Sequence, residues 1–414
     1  MTWMLKIYNS LTRKIEPFKA IIDKRVKMYT CGPSTYQQAH IGNYRTFLFE
    51  DLLQRYLEFL NYRVQRLMTL TDVEDKAILQ AEKERIIVEE LTAKNEAIFF
   101  RDFELLRIKK PDLAVRASTA VDQSVRLIVS LVEKGVAYWH TYAGEKNVYF
   151  DPLKFEGFGK LAHLDMTKWP NKKRRFHKDT YPGTPWNRGD FVLWHGCKQE
   201  HVCFETEIGR GRPAWNIQDA AVVTKHLGFS IDVACGGIDN LVRHHDYTLA
   251  VVESISNKQF SRYWLHGGHL YVDGKKMSKS KGNVYYPNDV VSKGYSGDQL
   301  RFFLIYGPYR RKMNFTLKRM AETSKRLDSF KAMVRTLLMT KSHRHSSIED
   351  SLCNRLDKDF EAFMNSDLNV KGAFDRLYEN VEKLYLTRKT LSCENIKKIE
   401  EKLSKIDNVL QCIF

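Results

Sequence analysis

From Val26 to Leu91 the sequence alternates between two hydrophobic periods, and this alternation constrains the fold more than any other feature of the chain. Val26-Lys27-Met28-Tyr29-Thr30-Cys31 reads as a strand, stopped by the turn residues Gly32-Pro33. Asn43 to Asn61 then carries Phe47, Leu48, Leu52, Leu53, Tyr56, Leu57 and Leu60 at helical spacing. Tyr62 to Thr71 is strand-like, and Asp75 to Leu91 is helical again. Parallel strands need a crossover between them, so strand, helix, strand, helix at this spacing predicts an α/β fold with a doubly wound parallel sheet.

The pattern changes between Pro111 and Gln199, where a helix over Val121 to Lys134 leads into short strands around Tyr138 and Val148-Tyr149-Phe150. A basic, aromatic stretch follows from Lys168 to Lys178, and the region reads as an insertion between two halves of the sheet. Gly209 to Leu270 returns to strand–helix alternation, with an apolar helix over Tyr247 to Ile255. After Phe315 the chain reads as helices only, over Leu317 to Lys341, Ser347 to Met364, Val370 to Leu391 and Glu394 to Cys412. The predicted organisation is therefore 1–110 and 201–270 as two halves of one domain, 111–200 as the insertion, 271–316 as a connecting region and 317–414 as a helical bundle.

Composition narrows the class. With 43% hydrophobic residues the chain can bury sizeable cores, which excludes wholesale disorder. No apolar run reaches the roughly 18 residues of a membrane-spanning helix, and the N-terminus lacks the pattern of a signal peptide. The 7 cysteines lie apart with no CxxC pair, which is cytosolic usage rather than a disulfide framework or a thiolate zinc knuckle. A cytoplasmic protein with no membrane partner is expected. A net charge of +17 fits a polyanionic partner.

Two segments carry chemistry. Gln38-Ala39-His40-Ile41-Gly42-Asn43 follows the first predicted strand and opens the next helix. A glycine there lets a nucleotide approach the backbone, and a helix N-terminus favours phosphate charge. His40 and Asn43 could donate hydrogen bonds to a phosphoryl group gaining charge, although a His and a Gly in such a turn are more often simply a turn. The second segment, Gly274-Lys275-Lys276-Met277-Ser278-Lys279-Ser280-Lys281-Gly282-Asn283, is a cationic loop suited to a polyphosphate. Its ammonium groups could neutralise a departing pyrophosphate, and it could close on ATP.

His40-Ile41-Gly42-Asn43 together with Lys276-Met277-Ser278-Lys279-Ser280 resembles the class I aminoacyl-tRNA synthetases. Tyr29-Thr30-Cys31-Gly32-Pro33, Leu70-Thr71-Asp72-Val73-Glu74-Asp75-Lys76, Gly211-Arg212-Pro213-Ala214-Trp215-Asn216-Ile217, Gly236-Gly237-Ile238-Asp239 and His244-His245-Asp246 narrow the resemblance to the cysteinyl-tRNA synthetases. It runs from near Leu5 to Thr316 and implies a class I Rossmann-type sheet, split by an insertion and followed by a C-terminal α-helical bundle. It also implies a reaction. A carboxylate oxygen of the amino acid attacks the α-phosphate of ATP, supplied with Mg2+, pyrophosphate leaves, and the adenylate is attacked by the terminal ribose hydroxyl of tRNA. By match, His40 and Asn43 would handle phosphates and adenosine, and Lys276 and Lys279 the β- and γ-phosphates. Asp239 would hold the ribose, with Gly42, Gly237, Met277 and Ser278 completing the ATP site. Thr71 and Trp215 would hold the amino acid, with Cys31, Asp219 and His244 around its side chain.

The family reads cysteine through zinc held by two cysteines, a histidine and a glutamate. Cys31 and His244 match two of these positions, but Asp219 and Thr248 stand at the other two. Threonine is not among the usual zinc ligands, so Cys31, Asp219 and His244 remain as a degraded set and zinc is expected to be weak or absent. Ala234, Cys235, Asn216 and Gln218 also depart from the family pattern. The expectation is altered amino-acid selection, or cysteine binding without the usual metal site. An Asp at the pocket base would suit a side chain with a cation or donor. The family usually carries a further anticodon-reading domain, whereas this sequence stops after the predicted helices, whose Lys318, Arg319, Lys325, Arg326 and Lys331 could face tRNA. The expected partners are tRNA, ATP and an amino acid, with the protein acting as a monomer. Two other functions share this ancestry: a tRNA-independent ligase that passes the adenylate to a small amine, as in mycothiol biosynthesis, and a non-catalytic tRNA-binding or regulatory paralogue.

Overall fold

A computed structural model describes residues 4–142, 144–169, 189–197, 202–278, 282–340 and 347–414. A hairpin of β1 (Lys6–Asn9) and β2 (Lys14–Pro17) precedes β3 (Arg25–Ser34), α1 (Ile41–Phe59) and β4 (Arg63–Thr71). Then come α2 (Asp75–Glu84), α3 (Val88–Leu105), β5 (Leu113–Arg116) and α4 (Val121–Glu133). The antiparallel strands β6 (Ala137–Tyr142), β7 (Glu145–Phe150), β8 (Phe191–Gly196) and β9 (Gly211–Pro213) form a separate 4-stranded sheet. After α5 (Trp215–His226), β10 (Ile231–Gly237), a π-helical turn over Leu241–His245, α6 (Asp246–Ser256) and β11 (Ser261–Gly267), the chain leaves the main domain. It does so through β12 (Leu270–Val272), β13 (Lys275–Lys276), α7 (Pro287–Val291), α8 (Gly297–Ile305) and β14 (Met313–Phe315). The bundle is α9 (Leu317–Leu338), α10 (Ser347–Met364), α11 (Val370–Leu386) and α12 (Cys393–Leu410).

The main sheet has 5 strands in the order β11-β10-β3-β4-β5, and every pairing in it is parallel. The first half of the chain therefore supplies β3, β4 and β5, and the later half lays β10 and β11 on the other side of β3. Strand order reverses between β3 and β10, which places a crevice at their carboxyl ends, where open α/β sheets take ligands. Both faces of the sheet are covered, as a parallel sheet requires. Val26, Met28, Val64, Met68, Val233, Cys235 and Leu265 face α1 and the C-terminal helices. Tyr29, Leu67, Ala234 and Trp264, from alternate positions, face α4, α5 and α6. Among the described residues no helix is long and apolar enough to cross a membrane.

A buried ion pair ties the bundle to the sheet domain. Asp51 of α1 and Arg301 of α8 are fully buried at 2.7 Å. Arg301 also donates to the carbonyls of Leu410, Leu106 and Arg107. Burial pushes the Asp51 carboxyl up, but Arg301, Arg55 and Arg66 outweigh it and hold the group below its ordinary range. Removing one partner strands a buried charge, so Arg301→Met is expected to cost about 3–5 kcal/mol in urea unfolding. Because the folded-state pKa is depressed, the pair stabilises above the unfolded carboxylate range and is lost as pH falls through the folded value. A loss under about 1 kcal/mol would contradict this assignment.

Two expectations need correction. Cys197 and Cys203 form a disulfide: the chain doubles back after β8 so that Phe204 pairs with Gly211, which brings the two sulfurs together without any CxxC spacing. Among the basic positions of α9, Arg326 pairs with Asp375 at 2.7 Å and Lys331 with Asp298 at 3.0 Å. Those two cations are therefore engaged inside the protein, while Lys318, Arg319 and Lys325 stay exposed. The basic stretch from Pro170 to Lys178 lies outside the described residues.

Candidate active site

The crevice begins at the irregular end of β3, where the register against β4 shifts between Cys31 and Ser34 and only glycine fits. A Cβ at Gly32, where β3 runs beside β4, would strike the Thr69 carbonyl oxygen. The chain then reaches the N-terminus of α1, where His40 is the N-cap. His40 Nδ1 accepts from the Asn43 backbone N–H at 3.2 Å, and Asn43 Oδ1 accepts from the His40 N–H at 3.0 Å. This reciprocal capping box fixes the ring. With Nδ1 accepting, the proton of the neutral imidazole sits on Nε2, so His40 is set as a hydrogen-bond donor at the head of a helix.

Gly42, the second residue of α1, is the contact point between the two sequence motifs. A Cβ there would strike Met277 Cε and lie 3.0 Å from His40 Cε1. The cationic segment thus folds back over α1, with Asn283 Oδ1 accepting from the Ser278 N–H at 2.9 Å. A cavity of about 360 Å³ results, and its lining includes Cys31, His40, Gly42, Asn43, Thr71, Trp215, Gly237, Asp239, Lys276 and Met277. On the β10 side a Cβ at Gly237 would lie 2.5 Å from Asp239 Oδ1, so glycine lets that carboxylate turn in. Lys279 and Ser280 lie outside the described residues.

The side-chain end of the cavity is built differently from the expectation. Asp219 of α5 accepts from both the Tyr29 hydroxyl and the His244 imidazole, whose Nε2 is the contacting atom. Burial pushes the Asp219 carboxyl up, but His244 and Tyr29 outweigh it and hold it below the ordinary range. His244 in turn stacks flat on Trp215, with ring centroids 4.1 Å apart and planes 10° apart. Only Cys31, Thr71 and Trp215 of the predicted amino-acid residues line the cavity. Asp219 and His244 are buried at 2% and 1% exposure, His244 against Trp215 and Asp219 against Cys31, two residues that line the cavity.

The same geometry tests the metal. Cys31 Sγ and ring nitrogens of His244 and His245 lie within 4.8 Å of one another. His245 directs Nδ1 to His266 Nε2 at 2.9 Å, while His245 Nε2 and His244 Nδ1 are buried without a hydrogen-bond partner among the described residues. Thr248 spends its hydroxyl on the His244 carbonyl at 2.9 Å, and Asp219 meets Tyr29, His244, Thr69 and the Cys31 thiol. A metal that reads a substrate has to face the cavity, and of these groups only Cys31 does. Cys31, His244 and His245 are thus the ligand-type groups brought together, with Asp219 beside them, and Thr248 leaves the family's four-ligand zinc set incomplete.

Sequence reasoning missed several lining residues, among them Tyr36, Thr46, Glu74, Lys76, Asn240 and His269. Glu74 carried a usable signal, being an acid directly after a predicted strand within a segment already singled out.

Residues 17–325 match the family described as tRNA synthetases class I (C) catalytic domain. The chain is 35% identical over 411 residues to the cysteine–tRNA ligase of Brachyspira hyodysenteriae, covering 98% of this chain and 85% of that protein. It is 37% identical over 386 residues to the cysteine–tRNA ligase of Chlamydia muridarum, covering 92% and 80%. Among solved structures, methionyl-tRNA synthetase of Mycobacterium tuberculosis in complex with methionyl-adenylate aligns with a TM-score of 0.65 at 15% identity, covering 94% of this chain and 90% of that one. A putative arginyl-tRNA synthetase of Campylobacter jejuni aligns with a TM-score of 0.62 at 14% identity, covering 95% and 94%. At these identities the structural likeness speaks to the fold alone.

Proposed function

The chain belongs to the class I (C) tRNA synthetase family, and on that premise we propose that it activates cysteine with ATP and transfers the cysteinyl group to tRNA. The observation that carries this reading is the contact of Met277 with Gly42, which closes His40, Asn43 and Lys276 around one cavity with Asp239 opposite. ATP enters as its magnesium complex. A carboxylate oxygen of cysteine attacks the α-phosphorus, the bond to the β-phosphate oxygen breaks, and pyrophosphate leaves. Charge builds on the phosphoryl oxygens as this happens. His40 Nε2–H stands at the positive end of the α1 dipole, and its ring is already held by the capping box, which makes it useful without reorganisation at the moment of reaction. Lys276, and Lys279 from the same segment, stabilise the departing pyrophosphate. Asp239 accepts from the ribose hydroxyls. No covalent enzyme intermediate is needed, because catalysis is positioning and charge stabilisation.

Zinc has no part in the reading proposed here. The side chain of cysteine rests against Cys31, Thr71 and Trp215, and the Tyr29–Asp219–His244 cluster holds the indole in place. A small, uncharged side chain suits such a wall. In the second step the terminal ribose hydroxyl of tRNA attacks the adenylate carbonyl and AMP leaves. Charging of total tRNA with radiolabelled cysteine tests the whole reading: acid-precipitable, base-labile cysteinyl-tRNA is expected. Adenylate formation without any tRNA product would overturn the transfer step.

A further inference from the structure

We propose that Glu74 is the group that takes the α-ammonium of the amino acid, an assignment that rests on the adenylating reading of the cavity and sharpens it. Glu74 occupies the N-cap position of α2, where an acid ordinarily accepts from the backbone N–H groups of the first turn. Here its side chain makes no such bond. It turns into the cleft and lines the cavity beside Cys31, Thr71 and Trp215, while only 3% of the residue is exposed. Its Oε1 meets no hydrogen-bond donor among the described residues. Burial pushes the Glu74 carboxyl up, and the hydrogen bond from Ser34 and the charges of Lys76 and His244 only partly offset it. Lys76 does not pair with it, its Nζ lying instead over the Tyr36 ring at 5.3 Å.

A carboxylate set this deep with an open oxygen is costly unless something cationic arrives to meet it. Of the reactants, ATP is anionic and would be repelled. The magnesium ion that comes with ATP is already held by its phosphates, so the α-ammonium of the amino acid is the cation left to meet Glu74. The same carboxylate repels the amino acid's own carboxylate, which is thereby turned away from Glu74 and toward the α1 end of the cavity, where the α-phosphorus is attacked. Glu74 is in this sense a binding and positioning residue, selecting for a free α-amino group next to the reacting carboxylate.

The test pairs a variant with a ligand that lacks the amino group. Binding of L-cysteine and of 3-mercaptopropionate is measured by calorimetry on the wild type and on Glu74→Gln. A charge-assisted contact predicts that Glu74→Gln weakens cysteine about 10- to 100-fold and 3-mercaptopropionate by less than about threefold, with the KM for ATP unchanged. Equal losses for both ligands, or no loss for cysteine, would overturn the assignment. Should Glu74→Gln fail to fold, Glu74→Asp keeps the charge at shorter reach. It is expected to show a smaller loss still confined to cysteine, and equal losses for both ligands would again overturn it. Wild-type ATP–pyrophosphate exchange with cysteine separately tests the function: silence there removes the adenylating reading, while the calorimetric pair still decides Glu74.

Discussion

His40→Ala is expected to slow cysteine-dependent ATP–pyrophosphate exchange about 10²- to 10³-fold, with the loss in kcat and the KM for cysteine within about threefold. The magnitude is that of removing one preorganised donor from a charge-stabilising site. His40 is preorganised because its Nδ1 is already committed to the Asn43 N–H, which leaves Nε2–H as the donor. The substitution also removes an N-cap, costing about 1 kcal/mol, so fraying of α1 has to be separated from lost chemistry. His40→Asn does this. Asparagine is a good N-cap and restores the helix start, but it cannot reach where Nε2 stands, so it is expected to remain nearly as slow as the alanine variant. Recovery of more than half the wild-type rate in His40→Asn would mean that the imidazole serves the helix and not the phosphate.

The second large effect concerns selectivity. Cysteine is expected to be preferred over serine by only about 10²-fold in kcat/KM, because a pocket that reads size and polarity rejects a near-isosteric hydroxyl by roughly that much. A thiolate-binding metal would do far better, through the softness of sulfur. The structural ground is the commitment of two candidate ligands: Asp219 to Tyr29 and His244, and Thr248 to the His244 carbonyl. Purified protein is accordingly expected to carry well under one equivalent of zinc, and activity is expected to survive a chelator. One equivalent of zinc, activity abolished by chelation and a cysteine-to-serine ratio above about 10⁴ would together show that the site reorganises around a metal.

How much of this was legible in the sequence follows from the range of each interaction. The strands at Val26 and Tyr62 and the helix over Asn43 to Asn61 announce themselves through local period, and the structure has β3, β4 and α1 there. The helix predicted over Asp75 to Leu91 is in fact two. Arg85 adopts a left-handed conformation at φ 58°, ending α2 before α3 starts at Val88, and no glycine or proline marks the break. The residues assigned to ATP were readable because His40, Asp239 and Lys276 each lie two positions from a glycine of a short local motif, Gly42, Gly237 and Gly274. Asp219 was not readable in the same way. It meets Tyr29 across 190 positions of sequence, and nothing local tells whether a buried carboxylate faces a ligand or a tyrosine. The Cys197–Cys203 disulfide was hidden for a similar reason, since it depends on the chain reversing between β8 and β9.

The central claim is that the cavity between α1, β4 and β10 is an adenylating site for cysteine. It is tested most directly by ATP–pyrophosphate exchange across all the standard amino acids, without tRNA. The account predicts the fastest exchange with cysteine, a weaker signal with serine and background with charged side chains. Exchange fastest with a charged amino acid, or ATP binding with no exchange for any of them, would contradict it.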